Sequence, residues 1–184
     1  YGLEDDGFNR EWHGRVFLNP PGGLCDEKGR PVVQKRGNRP GCSTTGECGL
    51  APGHKHAGVT SSARAWWFKL AREVREGRVL EAVFVGFTVE ILQSGQSRPP
   101  RVDGVPLPTP GQHALCFPST RLRFLTEQDG GLVEGDQPTH ANVLVYVGRQ
   151  LKKFVECFSP IGNCAFGVGS RLVVDEVGTG RPVA

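Results

Sequence analysis

Apolar residues fall in short blocks along this chain, separated by stretches rich in glycine, proline and charge. The first block, Arg15-Val16-Phe17-Leu18, follows Trp12-His13-Gly14 and stops at Asn19-Pro20-Pro21-Gly22-Gly23, which predicts a short strand ending in a stiff turn. Residues 24–59 then lose all periodicity and read as a long inserted loop or small module; connections of this kind are usually functional or disordered. Helical spacing returns after Ser61-Ser62, either of which can cap the run. Ala63, Trp66, Trp67, Leu70, Ala71 and Val74 form one stripe, Arg64, Lys69, Arg72 and Arg75 fall largely opposite, and Gly77 is a suitable stop. The nearly continuous apolar run over 79–87 predicts a strand covered on both faces.

Beyond it the pattern predicts a short helix around 89–93 and a Pro- and Gly-rich loop over 94–111. Strands are expected at 113–117, 121–125 and 142–147, with a turn-rich stretch at 128–140, and 154–158 is a further strand candidate. A strand, loop, helix and strand followed by several strands is the order of an α/β sheet whose later strands include an antiparallel edge. The whole of 1–184 reads as a single, partial domain.

Composition changes this picture little. The 184 residues suit one domain, and Gly 26 with Pro 14 suits long loops. A net charge of +3 permits a nucleic-acid partner without requiring one. No stretch approaches the roughly 18 apolar residues that span a membrane, and no charged start leads into an apolar secretory segment. The chain opens on Tyr1 and contains no Met, so it reads as an excised or truncated piece. Cys116, Cys157 and Cys164 lie in or beside apolar segments and read as small buried side chains.

The residues that carry chemistry begin with Asn19-Pro20-Pro21-Gly22. Methylating an exocyclic NH2 requires its lone pair to be withdrawn from the base ring. A polar acceptor at a strand end, with a backbone carbonyl as the second acceptor, can hold the two amino hydrogens and favour a pyramidal nitrogen. Adjoining prolines fix φ, so both acceptors are placed before reaction. Taken alone, the tetrapeptide is more often simply a turn. In the inserted loop, Cys25, Cys42, Cys48 and His54, with His56 as the alternative ligand, are a candidate zinc set. Their spacing differs from the usual Cys-x2-Cys finger, and a plain loop or a disulfide within it are the competing readings. Lys28, Arg30, Lys35, Arg36 and Arg39 share the loop and can neutralise DNA phosphates, although such clusters are more often merely solvated. His113 and His140 border strands and read as structural.

Glu4-Asp5-Asp6-Gly7-Phe8, followed by Glu11-Trp12-His13-Gly14-Arg15-Val16-Phe17-Leu18-Asn19-Pro20-Pro21, closely resembles the phage-type DNA N6-adenine methyltransferases. In that family an acidic-Gly stretch leads to a Trp-x-Gly-Arg-Val strand and then Asn-Pro-Pro-aromatic. The likeness continues, in the same order, through Ala65-Trp66-Trp67-Phe68-Lys69-Leu70, Gly77-Arg78-Val79, Arg121-Leu122-Arg123-Phe124, Thr139-His140-Ala141-Asn142 and Phe158-Ser159-Pro160-Ile161-Gly162. It implies a Rossmann-like methyltransferase sheet with helices on its faces, S-adenosylmethionine as cofactor and double-stranded DNA as partner. It also implies a cytoplasmic location in a bacterial host, or a prophage origin. Methyl transfer to adenine N6 is the implied reaction, with Asn19 and the Pro20 carbonyl holding the amine and Pro21 fixing the loop.

Cytosine N4 is the nearest chemical alternative, and an inactive DNA-binding or zinc-stabilised module of the same fold is the non-enzymatic one. Two departures stand out. Gly22 replaces the aromatic residue that stacks on the flipped base, which leaves Trp66 or Trp67 as stacking candidates or implies weak or lost activity; both tryptophans are more often core residues of such a helical stripe. The family's acidic strand end that faces the cofactor has no counterpart before Tyr1. Ala165-Phe166-Gly167-Val168-Gly169 is too short a Gly-rich pattern to assign to the cofactor.

Overall fold

The apolar run that begins at Val79 forms the strand around which the molecule is organised. A computed structural model describes residues 7–25, 31–32, 60–123, 125–128, 130–135 and 140–167. In chain order its elements are β1 (Gly14–Leu18), β2 (Leu24–Cys25), β3 (Pro31–Val32), β4 (Thr60–Ser61), α1 (Ser62–Arg75), β5 (Val79–Gly86), α2 (Glu90–Ser94), β6 (Arg101–Val102), β7 (Val105–Pro106), β8 (Ala114–Pro118), β9 (Leu125–Gln128), β10 (Gly131–Glu134), β11 (Val143–Val147), α3 (Leu151–Phe158) and β12 (Gly162–Phe166). Five strands make the main sheet, in the order β1-β5-β11-β8-β12. β1 is parallel to β5, β11 is antiparallel to both β5 and β8, and β12 is antiparallel to β8. The fold is therefore mixed α/β. The antiparallel component exceeds the expected edge: β12 is an antiparallel edge strand, but β11 lies inside the sheet.

Alternation along the strands divides the buried residues between two cores. Val143, Val145 and Val147 of β11 join Leu18, Ala82, Phe84 and the α1 residues Trp67, Phe68, Leu70 and Ala71 on one face. Leu144 and Tyr146 join Val85, Cys116 and the α3 residues Leu151 and Phe154 on the other. Successive side chains of a strand point to opposite faces, so a strand apolar throughout needs a layer on each side. Helices cover both faces, as the continuous apolar runs predict.

α1 stops where its sequence says it should. Arg72 and Arg75 complement the helix C-terminus, and Gly77, at φ 75°, donates its N–H to the Val74 carbonyl at 3.0 Å. One polar residue on the buried side was not anticipated. Glu73 is 1 % exposed and is hydrogen-bonded by Arg78 Nε at 2.5 Å, by the Lys69 ammonium and by the Trp12 backbone N–H at 3.4 Å. Burial pushes its carboxyl up, but the hydrogen bonds from Arg78 and Lys69, the Lys69 charge and the Trp12 amide outweigh burial and hold it below the ordinary value of 4.5.

Elsewhere the local pattern misled. Residues 154–158 are helix, not strand: Leu151, Phe154, Val155 and Phe158 recur at i, i+3, i+4 and i+7, a spacing visible only in the longer window. Residues 121–123 alternate like a strand but make no ladder, and regular pairing starts at Leu125 in the β9–β10 hairpin, which occupies part of the expected turn. The expected loop at 94–111 contains a small β6–β7 hairpin and a 3-10 turn at Pro110–Gln112. A strand at Gly162–Phe166 was not expected. There the chain runs so close to β8 that a Cβ on Gly162 would lie 2.2 Å from the Phe117 carbonyl oxygen. Cys116 is buried as expected, but Cys164 is half-buried and Cys157 exposed, because Cys157 falls on the outer side of α3. Among the described residues no helix is long and apolar enough to cross a membrane.

Glu73→Ala should cost about 3 kcal/mol of unfolding free energy at neutral pH, measured by urea titration, because a buried ionic cluster loses its centre. The stabilisation from its lowered carboxyl pKa is present above about pH 4.5 and is lost in acid. His113 generates a separate dependence. Its ring packs against Trp67 with centroids 5.4 Å apart, its Nε2 has no partner among the described residues, and burial lowers its pKa from 6.5 to about 4. Between those values the unfolded chain holds the extra proton, so stability is full above pH 6.5 and falls as pH drops toward 4. The expected loss is about 3 kcal/mol, and His113→Phe should abolish that part of the pH profile.

Candidate functional site

β1 carries an in-out alternation past its own end. Arg15, Phe17 and Asn19 are exposed, whereas Val16 is half-buried and Leu18 and Pro20 are buried. Leu18 is level with Phe84 of the parallel strand β5, so Asn19 leaves the sheet at the carboxyl ends of two parallel neighbours. Open α/β sheets bind their ligands in the crevice at such ends. The buried Pro20 anchors the chain immediately beyond the exposed amide, Pro21 is half-buried, and Gly22 is exposed. A Cβ at Gly22 would meet no atom within 4 Å, so this position faces open space.

The same rim gathers segments distant in sequence. β11 enters at Val143 opposite Gly86, the last residue of β5, while β8 leaves at Pro118 opposite Gly162, the first residue of β12. Asn142 is 4 % exposed and clasps two of these strand ends. Its Oδ1 accepts from the Leu122 N–H at 3.0 Å, and its Nδ2 donates to the Phe87 carbonyl at 3.4 Å. This side-chain bond replaces the ladder bond expected of residues 121–125. Ser119 donates its backbone N–H and its hydroxyl to the Ile161 carbonyl, at 2.9 and 3.1 Å. The edge holding Asn19 thus also holds Leu122, Asn142 and the turn before Gly162. β5 separates β1 from β11, which puts the Asn19 and Asn142 strands roughly 10 Å apart. The sequence pattern places Asn142 at the start of a strand and does not assign it this clasping role. Its signal in sequence was an Asn directly before an apolar run, a residue type suited to bonding neighbouring backbone.

Two projections rise from this rim. The first follows Gly22-Gly23: β2 pairs with β3 and β4, aligning Leu24 with Ser61 and Cys25 with Thr60, and the Ser62 N–H at the start of α1 donates to the Gly23 carbonyl at 3.0 Å. The insertion thus leaves and returns at one pinched base beside Asn19-Pro20-Pro21. The second is the β9–β10 hairpin between the end of β8 and the start of β11. Leu132 on it is 71 % exposed, and Arg123 meets Glu134 at 2.6 Å.

Of the zinc candidates, Cys25 is buried in β2, while Cys42, Cys48, His54 and His56 lie outside the described residues, as do Lys28, Arg30, Lys35, Arg36 and Arg39. Trp66 is a packing residue. It is half-buried at the border of the core, stacks on Trp12 with centroids 5.9 Å apart and meets Phe8 edge-on at 5.2 Å. Trp67 is fully buried and donates Nε1–H to the Pro108 carbonyl at 2.9 Å. His140 is exposed near the rim. Ala165 and Phe166 end β12, and Gly167 N–H bonds the His113 carbonyl at 3.0 Å, at the opposite edge from Asn19. No protein-family model, curated protein or solved structure matches the chain.

Asn142→Ala should remove the acceptor of the Leu122 N–H and the donor to the Phe87 carbonyl, and cost about 2 kcal/mol. Hydrogen exchange should accelerate at Leu122 before it does in β5 or β11; unchanged exchange there would remove Asn142 from its role as a clasp.

Proposed function

We propose that this chain carries the amine-holding part of an S-adenosylmethionine-dependent DNA methyltransferase that acts on adenine N6. The observation that carries the reading is the exposed Asn19 between buried Leu18 and buried Pro20, at the carboxyl end of a strand parallel to its neighbour. Asn19 Oδ1 accepts one amino hydrogen of the target base and the Pro20 carbonyl accepts the other. Held this way, the nitrogen becomes pyramidal and its lone pair is free for the incoming methyl group. Pro21 limits the loop's freedom, so both acceptors are in place before the base arrives.

S-adenosylmethionine supplies the methyl group when bound. Asn19 and the Pro20 carbonyl act on the base alone; the cofactor's own contacts lie outside this role. Duplex binding is assigned to the two projections. Lys35, Arg36 and Arg39 on the insertion neutralise phosphates, and an exposed two-stranded ribbon such as β9–β10 has the width to enter a major groove. Zinc held by Cys25, Cys42, Cys48 and His54 or His56 would order the insertion. With Gly22 at the aromatic position, stacking on the flipped base is weak or absent from that position.

The test is calorimetric titration of the chain with S-adenosylmethionine, with and without an adenine-containing duplex, followed by transfer of a labelled methyl group. Saturable binding and adenine-dependent transfer are expected, with loss of roughly a hundred-fold or more in turnover for Asn19→Ala at unchanged thermal stability. Unchanged turnover in that variant would remove Asn19 from the mechanism, and transfer only to cytosine would reassign the target amine. Duplex binding by folded protein that binds no cofactor would identify a non-catalytic DNA-binding module.

A further inference from the structure

Cys116 and Cys164 face each other across the β8–β12 ladder. Directly opposed residues of an antiparallel pair have Cα atoms about 4.5–5.5 Å apart and side chains on one face, within the roughly 4.4–6.8 Å that a disulfide spans. Both are free thiols, and Cys164 influences the titration of Cys116 at this range. Cys116 is fully buried, and its Sγ–H also donates to the Phe158 carbonyl at 3.6 Å. Cys164, on the edge strand, is half-buried and open to solvent on one side.

We infer that Cys116 and Cys164 form a redox-sensitive dithiol that closes to a cross-strand disulfide when a low-molecular-weight disulfide reaches Cys164. The order of reaction follows from accessibility. The Cys164 thiolate attacks one sulfur of the oxidant, breaking its S–S bond and releasing one thiol. Cys116 then gives its proton to solvent and attacks the Cys164 sulfur, displacing the second thiol. Two protein thiols lose two electrons and two protons, and one small disulfide becomes two thiols. Burial raises the Cys116 thiol to about 11, and the neighbouring Cys164 adds to that rise, so Cys116 is mostly protonated at neutral pH and does not attack first. Its attack comes in the intramolecular step, where the mixed disulfide is already opposite it.

Closure has a consequence at the rim. It removes the S–H that bonds the Phe158 carbonyl, at the end of α3, just before the turn whose Ile161 carbonyl is held by Ser119. Closure therefore frees the Phe158 carbonyl next to that turn.

The experiment is incubation of the whole chain with oxidised glutathione, alkylation of remaining thiols, digestion without reduction, and mass spectrometry. A peptide pair joined through Cys116 and Cys164 is expected, with both positions lost from the alkylated pool. The same link is expected in Cys157→Ser, and in Cys164→Ser Cys116 should stay fully alkylatable once the protein is denatured. Cys164→Ala serves if the serine variant does not fold, judged by near-ultraviolet circular dichroism. Glutathione retained on Cys164 with Cys116 still a thiol, a link from Cys116 to Cys157, or no reaction in the folded protein would each overturn the inference.

Discussion

A single buried carboxylate ties together the elements that place the rim. Glu73 sits on the inner side of α1 and bonds Arg78, which begins the path into β5, and the Trp12 backbone, which begins the path into β1. Its own helix contributes Lys69. A charge at this depth is tolerated only because its lone pairs are met by cations and an amide, and that requirement fixes the relative position of three elements at once. Arg78 is also held by Glu76 and lies near Glu11, so the cluster extends to the surface where its cations stay partly hydrated. The parallel pairing of β1 with β5, and therefore the height at which Asn19 leaves the sheet, follows from this anchorage at the opposite end of both strands.

At the carboxyl ends of β1 and β5, the constraint is different. Strand ends bring unpaired backbone groups to the rim, and side chains satisfy them: Asn142 for Leu122 and Phe87, and Ser119 for Ile161. These bonds hold the strand ends while leaving Asn19 exposed beside them. The insertion is joined to this edge through a ribbon of a few residues whose base is fastened to the first N–H of α1. A module attached in this way can vary in sequence and length without disturbing the sheet, because its closure is paid at the pinch and not in the core. Cys116 and Cys164 lie further along the sheet, where the Cys116 thiol bonds the Phe158 carbonyl at the end of α3.

The local elements were largely legible. Apolar continuity announced β5 and β11, helical spacing announced α1, and Asn19-Pro20-Pro21 announced a strand end with an acceptor on it. The failures have a common cause, in that a short window cannot tell one period from another. Residues 154–158 looked extended until Leu151 was counted with them, and residues 121–123 alternate yet bond a side chain in place of a strand. Trp66 shared a stripe with Trp67, and only its contacts with Trp12 and Phe8 show what its ring is used for.

By itself, then, the sequence determined where strands and helices can form, which faces are apolar, and where an amide followed by two prolines interrupts a strand, since these depend on neighbours within a turn or two. Only the tertiary structure decided the strand order, the interior place of the antiparallel β11, and the meeting of Asn19, Leu122, Asn142 and the 158–162 turn on one edge. It likewise decided the burial of Glu73 and the opposition of Cys116 and Cys164. Those outcomes depend on which faces can be covered and which buried polar groups can find partners across the whole chain. Such conditions join residues far apart in sequence and leave no periodic trace in either partner alone.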